Sequence, residues 1–245
     1  MFAKTIIRRY SKDEGERPFW ISFADLMTAC MTVFLIVMAV TLVALREDVD
    51  NYTNAARLSR LRQVEIERFA KQLRASSEEI RPPVKVSIIK DIVRIDLGSA
   101  ANFVSGSADI SAGGSKFLRG YFPKVLEAAK TDLGKKWLKR VVVEGFTDTD
   151  GSYLFNLDLS LQRSRKVVCT MFEPAQGGER AMTRAELGQI RDLFLVGGYS
   201  FNSMQSSKAK SRRVALKLEF WQVGEREQAE KQPKPDLTEK EFGKC

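Results

Sequence analysis

Residues 20 to 45, WISFADLMTACMTVFLIVMAVTLVAL, contain no Lys, Arg, Glu, Gly or Pro and one ionisable acid or base, Asp25. As a helix these 26 residues reach roughly 39 Å at about 1.5 Å per residue, against a bilayer core of about 30 Å. The stretch is too long for the apolar part of a secretory leader. It is followed by Arg46, Glu47 and Asp48 rather than by small residues suited to cleavage. The expectation is one uncleaved transmembrane helix, with Trp20 as its interfacial aromatic. Five Lys or Arg precede the span (Lys4, Arg8, Arg9, Lys12, Arg17) and three Arg follow closely (Arg46, Arg57, Arg60). That small bias places the tail of residues 1–19 in the cytoplasm and the rest of the chain across the membrane.

Asp25 lies about one and a half turns inside the span. A carboxylate at such a depth costs roughly 2.5–3.5 kcal/mol on insertion scales, which argues for a side facing protein or water. The alternative is a wet carboxylate held at the interface. Ser22, Thr28 and Thr32 lie three, three and seven residues away, on the same helical face. A polar stripe of that kind implies a partner helix, and the chain has no second span to supply one. A carboxyl group that is costly to ionise is suited to taking up and releasing a proton.

Composition removes several kinds of chemistry. The chain has no histidine, so Ser-His-Asp triads, Cys-His nucleophiles and His-ligated zinc are excluded. No catalytic residue and no metal ligand set is expected. The charge of +9 and pI of about 9.5 come from Lys and Arg that are spread out rather than striped. No nucleic-acid-binding signature accompanies them. Of the three cysteines, Cys30 is in the span, Cys169 in the following domain and Cys245 at the end. An extracytoplasmic domain would allow a Cys169–Cys245 disulfide; two separate free thiols is the other reading.

After the span, residues 46–83 read as a charged helical linker ended by Pro82-Pro83. Ile66, Phe69, Leu73 and Ile80 fall on heptad spacing with Ser76 between, while Ser59 and Arg62 break the register upstream. The spacing allows a short parallel dimer contact. Residues 84–221 then change pattern. Two short strands meet at Lys90-Asp91 and a Ser/Gly-rich loop follows. A helix over about 114–131 carries Pro123, expected to kink it or shift its start. A strand over 139–146, a helix over 152–171, a helix over 183–195 and a strand over 213–221 complete the pattern. The fold class expected is a single N-terminal transmembrane helix plus an α+β sandwich of β-α-β-α-β type with helices on one side. Residues 222–245 form a charged, Pro-containing tail expected to be mostly disordered.

Two motifs carry a resemblance to known families. The string Pro18-Phe19-Trp20-Ile21-Ser22-Phe23-Ala24-Asp25-Leu26-Met27-Thr28 resembles the W-x-x-x-[FY]-A-D-x-M-T signature of the MotB family, the B subunits of ion-driven rotary stators, with Trp20 one position nearer the aromatic than the signature has it. The stretch VEGFTDTDGSYLFNLDLSLQRSRKVV, residues 143–168, resembles the OmpA-like peptidoglycan-binding domain. Gly145, Thr147, Asp148, Gly151, Asn156, Leu159, Ser160, Arg163 and Val167 match, and Ser211-Arg212-Arg213-Val214 resembles that family's N-R-R-V. Phe146 stands where the family has His, Ser164 where it has Ala, and Ser211 where it has Asn.

These resemblances imply the following. Asp25 carries the ion, H+ in preference to Na+, supported by Ser22 and Thr28, and no cofactor is involved. Asp148 and Arg163 clamp the diaminopimelate of a peptidoglycan stem peptide, the Asp taking its ammonium and the Arg its carboxylate by a bidentate fork. Thr147, Tyr153, Asn156 and Leu159 line the pocket; a plain Asp148–Arg163 salt bridge is the bland alternative. Two copies work inside about five MotA-like polytopic subunits in a bacterial inner membrane, with the domain in the periplasm. A plug role for residues 46–65 is neither required nor excluded by their composition. The compact length resembles the MotB-like subunit of Zorya antiphage defence systems, whose partner would be ZorA-like. A flagellar stator subunit and a non-conducting wall-tethered anchor are the rival readings.

Overall fold

The computed structural model describes residues 17–78, 80–101, 103, 106–233 and 240–245 of the chain. The expected cytoplasmic tail lies outside the described residues except for 17–19, which open the first helix. The chain divides into two compact units, Met1–Arg57 and Leu58–Cys245, and helix α1 (Arg17–Glu78) contributes to both.

In the first unit α1 contains the one helix stretch, among the described residues, that is long and apolar enough to cross a membrane. From residue 20 to residue 57 every side chain is exposed. The hydroxyls of Thr28, Thr32 and Thr41 donate to the carbonyl oxygens of Asp25, Ala29 and Met38 at 2.9, 2.8 and 2.9 Å. Back-bonding of this kind satisfies hydroxyls that would be costly to leave free in an apolar medium.

The second unit is a five-stranded sheet in the order β1-β2-β5-β3-β4. β1 (Lys85–Ile89) and β2 (Ile92–Asp96) form a hairpin whose turn puts Lys90 at φ 56°. Helix α2 (Ala112–Lys130) starts at the Ser111 cap and runs through Pro123 without ending there. α3 (Asp132–Trp137) leads into β3 (Leu138–Gly145). α4 (Tyr153–Phe172) is followed by α5 (Arg184–Leu193), which opens on a Thr183/Glu186 capping box. β4 (Phe194–Gly198) begins at the very next residue and pairs in parallel with β3. α6 (Lys208–Ser211) precedes β5 (Val214–Phe220), which lies in the middle of the sheet, antiparallel to β2 and β3.

One face of the sheet is apolar. Val93, Ile95, Val141, Val143, Leu216 and Leu218 are fully buried beneath Leu118, Tyr121 and Phe122 of α2, Val167 and Met171 of α4, and Ile190 of α5. The alternate residues face the other way and are charged: Arg94 pairs with Glu144 at 2.9 Å, and Glu219 with Arg140 at 2.6 Å. This two-layer arrangement is the expected α+β sandwich, with β4 added at one edge.

Two expectations are corrected. Ile66, Phe69 and Leu73 do not face a second chain: they are 1–2% exposed inside this domain's own core, and Phe69 meets Phe220 edge-on at 5.7 Å. Heptad spacing records an apolar stripe and is silent about what covers it. Arg62, which broke the register, is buried and donates to the carbonyl of Trp221 at 2.6 Å and to Asp91 at 3.3 Å. The stretch read as a linker is therefore domain structure from Leu58 onward.

The charged tail is likewise ordered where it is described. α7 (Glu225–Glu230) forms after Gly224; Glu225 pairs with Lys139, and Arg226 donates to the carbonyl of Lys135. Cys245 is bonded to Cys169, and Phe242 packs on Phe172 with ring centroids 5.2 Å apart. Residues 234–239 lie outside the described residues.

Candidate functional site

The site is built on the turn that leaves β3. Beyond Gly145 the sheet ladder continues for a few bonds: Phe146 N–H donates to Arg213 O, Thr147 N–H to Ser200 O and Tyr199 N–H to Gly145 O, each at 3.0 Å. The turn is thus held from both sides before it reaches Asp148. Asp150 N–H donates back to Asp148 Oδ1 at 3.1 Å, an Asx-type closure, and Gly151 takes φ 94°, a region open to glycine. Asn156, buried on the first turn of α4, donates through Nδ2 to the carbonyls of Asp150 (2.8 Å) and Ser152 (3.2 Å).

Close approach of α4 to the sheet depends on two paired glycines. A Cβ on Gly145 would lie 1.9 Å from the carbonyl oxygen of Ser160, and one on Gly198 would lie 2.8 Å from Leu161 N. Gly145 and Gly198 are partners across β3 and β4. Ser160 completes the seam: its hydroxyl donates to Leu157 O at 2.8 Å and accepts from Ser200 N–H at 3.0 Å.

The residues expected at the site are gathered at this end of the sheet. Thr147 is buried, and its hydroxyl has no hydrogen-bond partner among the described residues. Asp148 is 7% exposed, Leu159 is buried, and Tyr153 is 45% exposed, its ring edge-on to Phe201. Arg163 is fully buried. Its Nε donates to Ser107 O at 3.0 Å, its Nη1 to Phe146 O at 3.4 Å, and its guanidinium lies 5.3 Å from the Phe103 ring. Those bonds turn it toward the backbone that frames the turn, and no part of it reaches the surface.

The cation on the accessible side of Asp148 is Arg212, whose Nη1 donates to Asp148 Oδ2 at 2.7 Å. Lys208 pairs with Asp150 beside it. Burial works against charge on Asp148. The hydrogen bonds from Arg212 and from Asp150 N–H, with the charges of Arg212 and Lys208, outweigh it and hold the carboxyl below the ordinary carboxylate range. Arg212 lies in the S-R-R-V string, but a pairing across 64 residues has no local signature. Phe146, in the place of the family's His, is buried between the Tyr199 ring at 5.5 Å and the Arg213 guanidinium at 4.2 Å. Its contacts there are stacking contacts.

In the span, Asp25 is exposed and its carboxylate has no hydrogen bond or ion pair among the described residues. Thr28, expected to support it, donates to its backbone carbonyl.

An apolar helix carrying one acid is followed here by a two-layer α+β domain with an acid–cation turn after its third strand. No family model matches the sequence. It is 39% identical over 236 residues to the Zorya protein ZorB of Escherichia coli O139:H28 (strain E24377A / ETEC), covering 96% of this chain and 94% of that one. The chain belongs to the ZorB family. Among solved structures it is similar to a putative MotB-like protein from Desulfovibrio vulgaris (16% identity, 66% of this chain and 95% of that one, TM-score 0.45). It is also similar to the OmpA-like domain of FopA1 from Francisella tularensis (17%, 57% and 83%, TM-score 0.38). The family assignment rests on the ZorB match.

Proposed function

We propose that this chain is the wall-anchored, stator-type subunit of an ion-driven motor of the Zorya antiphage kind, and a component without enzymatic activity of its own. Asp25 takes up and releases the ion, H+ in preference to Na+. Two copies place their spans among MotA-like (ZorA-like) subunits, five around two, and the domain holds the pair to peptidoglycan through the Asp148 turn. The observation that carries this is Asp25 itself: one carboxylate in an otherwise uncharged span, exposed, with no partner of its own among the described residues. A group so expensive in lipid is kept where a partner protein and a transported ion complete it. Near-full-length identity to ZorB supports the setting. The Cys169–Cys245 bond supports a domain on the oxidising side of the membrane.

Asp25→Asn and Asp148→Asn, each made in the intact system, test the two halves. The first should abolish phage protection while the chain still pellets with isolated sacculi. The second should lower pelleting at least tenfold. Full protection by Asp25→Asn would leave only the wall-tethered anchor. A swimming defect in place of a protection defect would indicate the flagellar reading.

A further inference from the structure

Beside the Asp148 turn lies a cavity of about 480 Å3, within the size range of small-ligand sites. It is lined by Lys85 at the start of β1, Lys210 in α6, and Arg212 and Arg213 before β5, with Asp96 at the end of β2. The cations outnumber the acids. Arg213 is answered by Asp96 at 3.4 Å and by the carbonyl of Ser203 at 3.1 Å. Asp96 also accepts from Gly98 N–H at 2.9 Å. Arg212 is answered by Asp148, outside the cavity, through a single nitrogen. Lys85 and Lys210 have no ionic partner among the described residues. Two positive charges are therefore left over in a concave space that already contains two guanidiniums. Like charges gathered in this way repel unless an anion joins them.

We propose that this cavity is an oxyanion subsite that takes a second carboxylate of the peptidoglycan stem peptide bound at Asp148. The proposal rests on the wall-binding reading above. Arg212 joins the two places. A ligand ammonium that displaces it from Asp148 frees a guanidinium that already lines the cavity, and a carboxylate on the same ligand can accept its fork. The stem peptide has both groups a few bonds apart. A phosphate would satisfy the same cations, so the test separates the two sources.

The full-length chain in detergent is titrated with inorganic pyrophosphate and with a diaminopimelate-containing tripeptide, the latter with its carboxylates free or amidated. The expected result for the wild type is millimolar or tighter pyrophosphate binding that weakens with salt, and a tripeptide preference of tenfold or more for free carboxylates. In Lys85→Gln/Lys210→Gln, whose side chains are exposed and make no hydrogen bond or ion pair among the described residues, both the pyrophosphate binding and that preference should fall at least tenfold. Asp148→Asn should tighten pyrophosphate several-fold, by releasing Arg212, while weakening the tripeptide. An unchanged double variant overturns the subsite. Pyrophosphate binding with no preference among tripeptides overturns the stem-peptide carboxylate in favour of phosphate. Failure of the wall-binding reading is read separately, as tripeptide binding that Asp148→Asn leaves intact.

Discussion

Asp25 and Asp148 are the same side chain in opposite circumstances. Asp25 stands in the part of α1, residues 20 to 57, whose side chains are all exposed, with Met31, Phe34 and Ile36 each about 60% open. Asp148 stands in a domain whose charged groups near the core are bonded one by one: Arg212 to Asp148, Arg163 to Ser107 and Phe146, Arg62 to Trp221. A folded domain cannot hold a bare charge, because the full desolvation cost would fall on its own stability. A single span has no interior in which to incur that cost. A lone apolar helix of this kind leaves a polar group on it unanswered by its own chain. These buried charges of the domain are answered within one chain, and the Asp25 carboxylate is answered by no described residue.

The sharpest way to break this contrast is at the seam between α4 and the sheet. Gly145→Ala would place a Cβ 1.9 Å from the Ser160 carbonyl, where backbone on both sides must move. The expected cost is about 4 kcal/mol or more, beyond the usual overpacking range of about 1–3 kcal/mol. Thermal unfolding of a fragment beginning at Leu58 measures it. Membrane insertion of the full chain should be unaffected. If insertion failed together with the domain, the two units would not be independent in the way their contacts imply.

How far each region could be read in advance follows from the same contrast. The span and the Gly145–Gly151 turn were legible because their signals are local: an unbroken apolar run, and a glycine-flanked acid motif. β4 was missed. Phe194 and Leu195 continue the apolar residues of α5, Ile190 and Leu193, and no turn residue separates the elements. The fate of Ile66, Phe69 and Leu73 was misread because spacing gives a face and tertiary packing chooses its partner. At the site, Asp148 and Arg163 were found, but the accessible cation, Arg212, was not assigned to it. Arg163 is turned toward the Ser107 and Phe146 carbonyls by the way α4 packs, and nothing in its own neighbourhood of the sequence encodes that.

The tail gives a second, smaller test. By composition residues 222–245 resemble neither core nor span, yet Cys245 is tied to Cys169 and the Arg191 guanidinium lies 5.9 Å from the Phe242 ring. The bond closes a loop with a sequence separation of 76, for which chain-entropy arguments give about 4 kcal/mol and measured bridges typically about 2–4. Cys245→Ser, or reduction of the wild type, should lower the domain's unfolding free energy by that amount. Cys30→Ser, in the span, should leave it unchanged. Equal effects would erase the distinction between a structural thiol and one that merely faces its surroundings.

The smallest effect is the one that bears most directly on the two carboxylates. Asp148 is held below the ordinary range, so its ionised form favours the folded state. That contribution is fully present above the unfolded value of about 3.9 and is lost as pH falls through the lower folded value. In Arg212→Gln the main counter-charge is gone and burial, which opposes ionisation, is left less opposed. The folded value then rises toward the unfolded one, so the share of the acid-induced fall in melting temperature that comes from Asp148 should shrink, the variant starting lower at neutral pH and converging with the wild type at low pH. The difference amounts to about 1 kcal/mol or less at neutral pH. Melting curves of both proteins from pH 2 to pH 7 measure it, with the other depressed acids, Glu65, Asp91, Glu179, Glu186, Glu219 and Glu225, common to both. Superimposable profiles would mean that Arg212 does not neutralise Asp148. Asp148 would then stand as Asp25 does among the described residues, as a carboxylate without an answering cation.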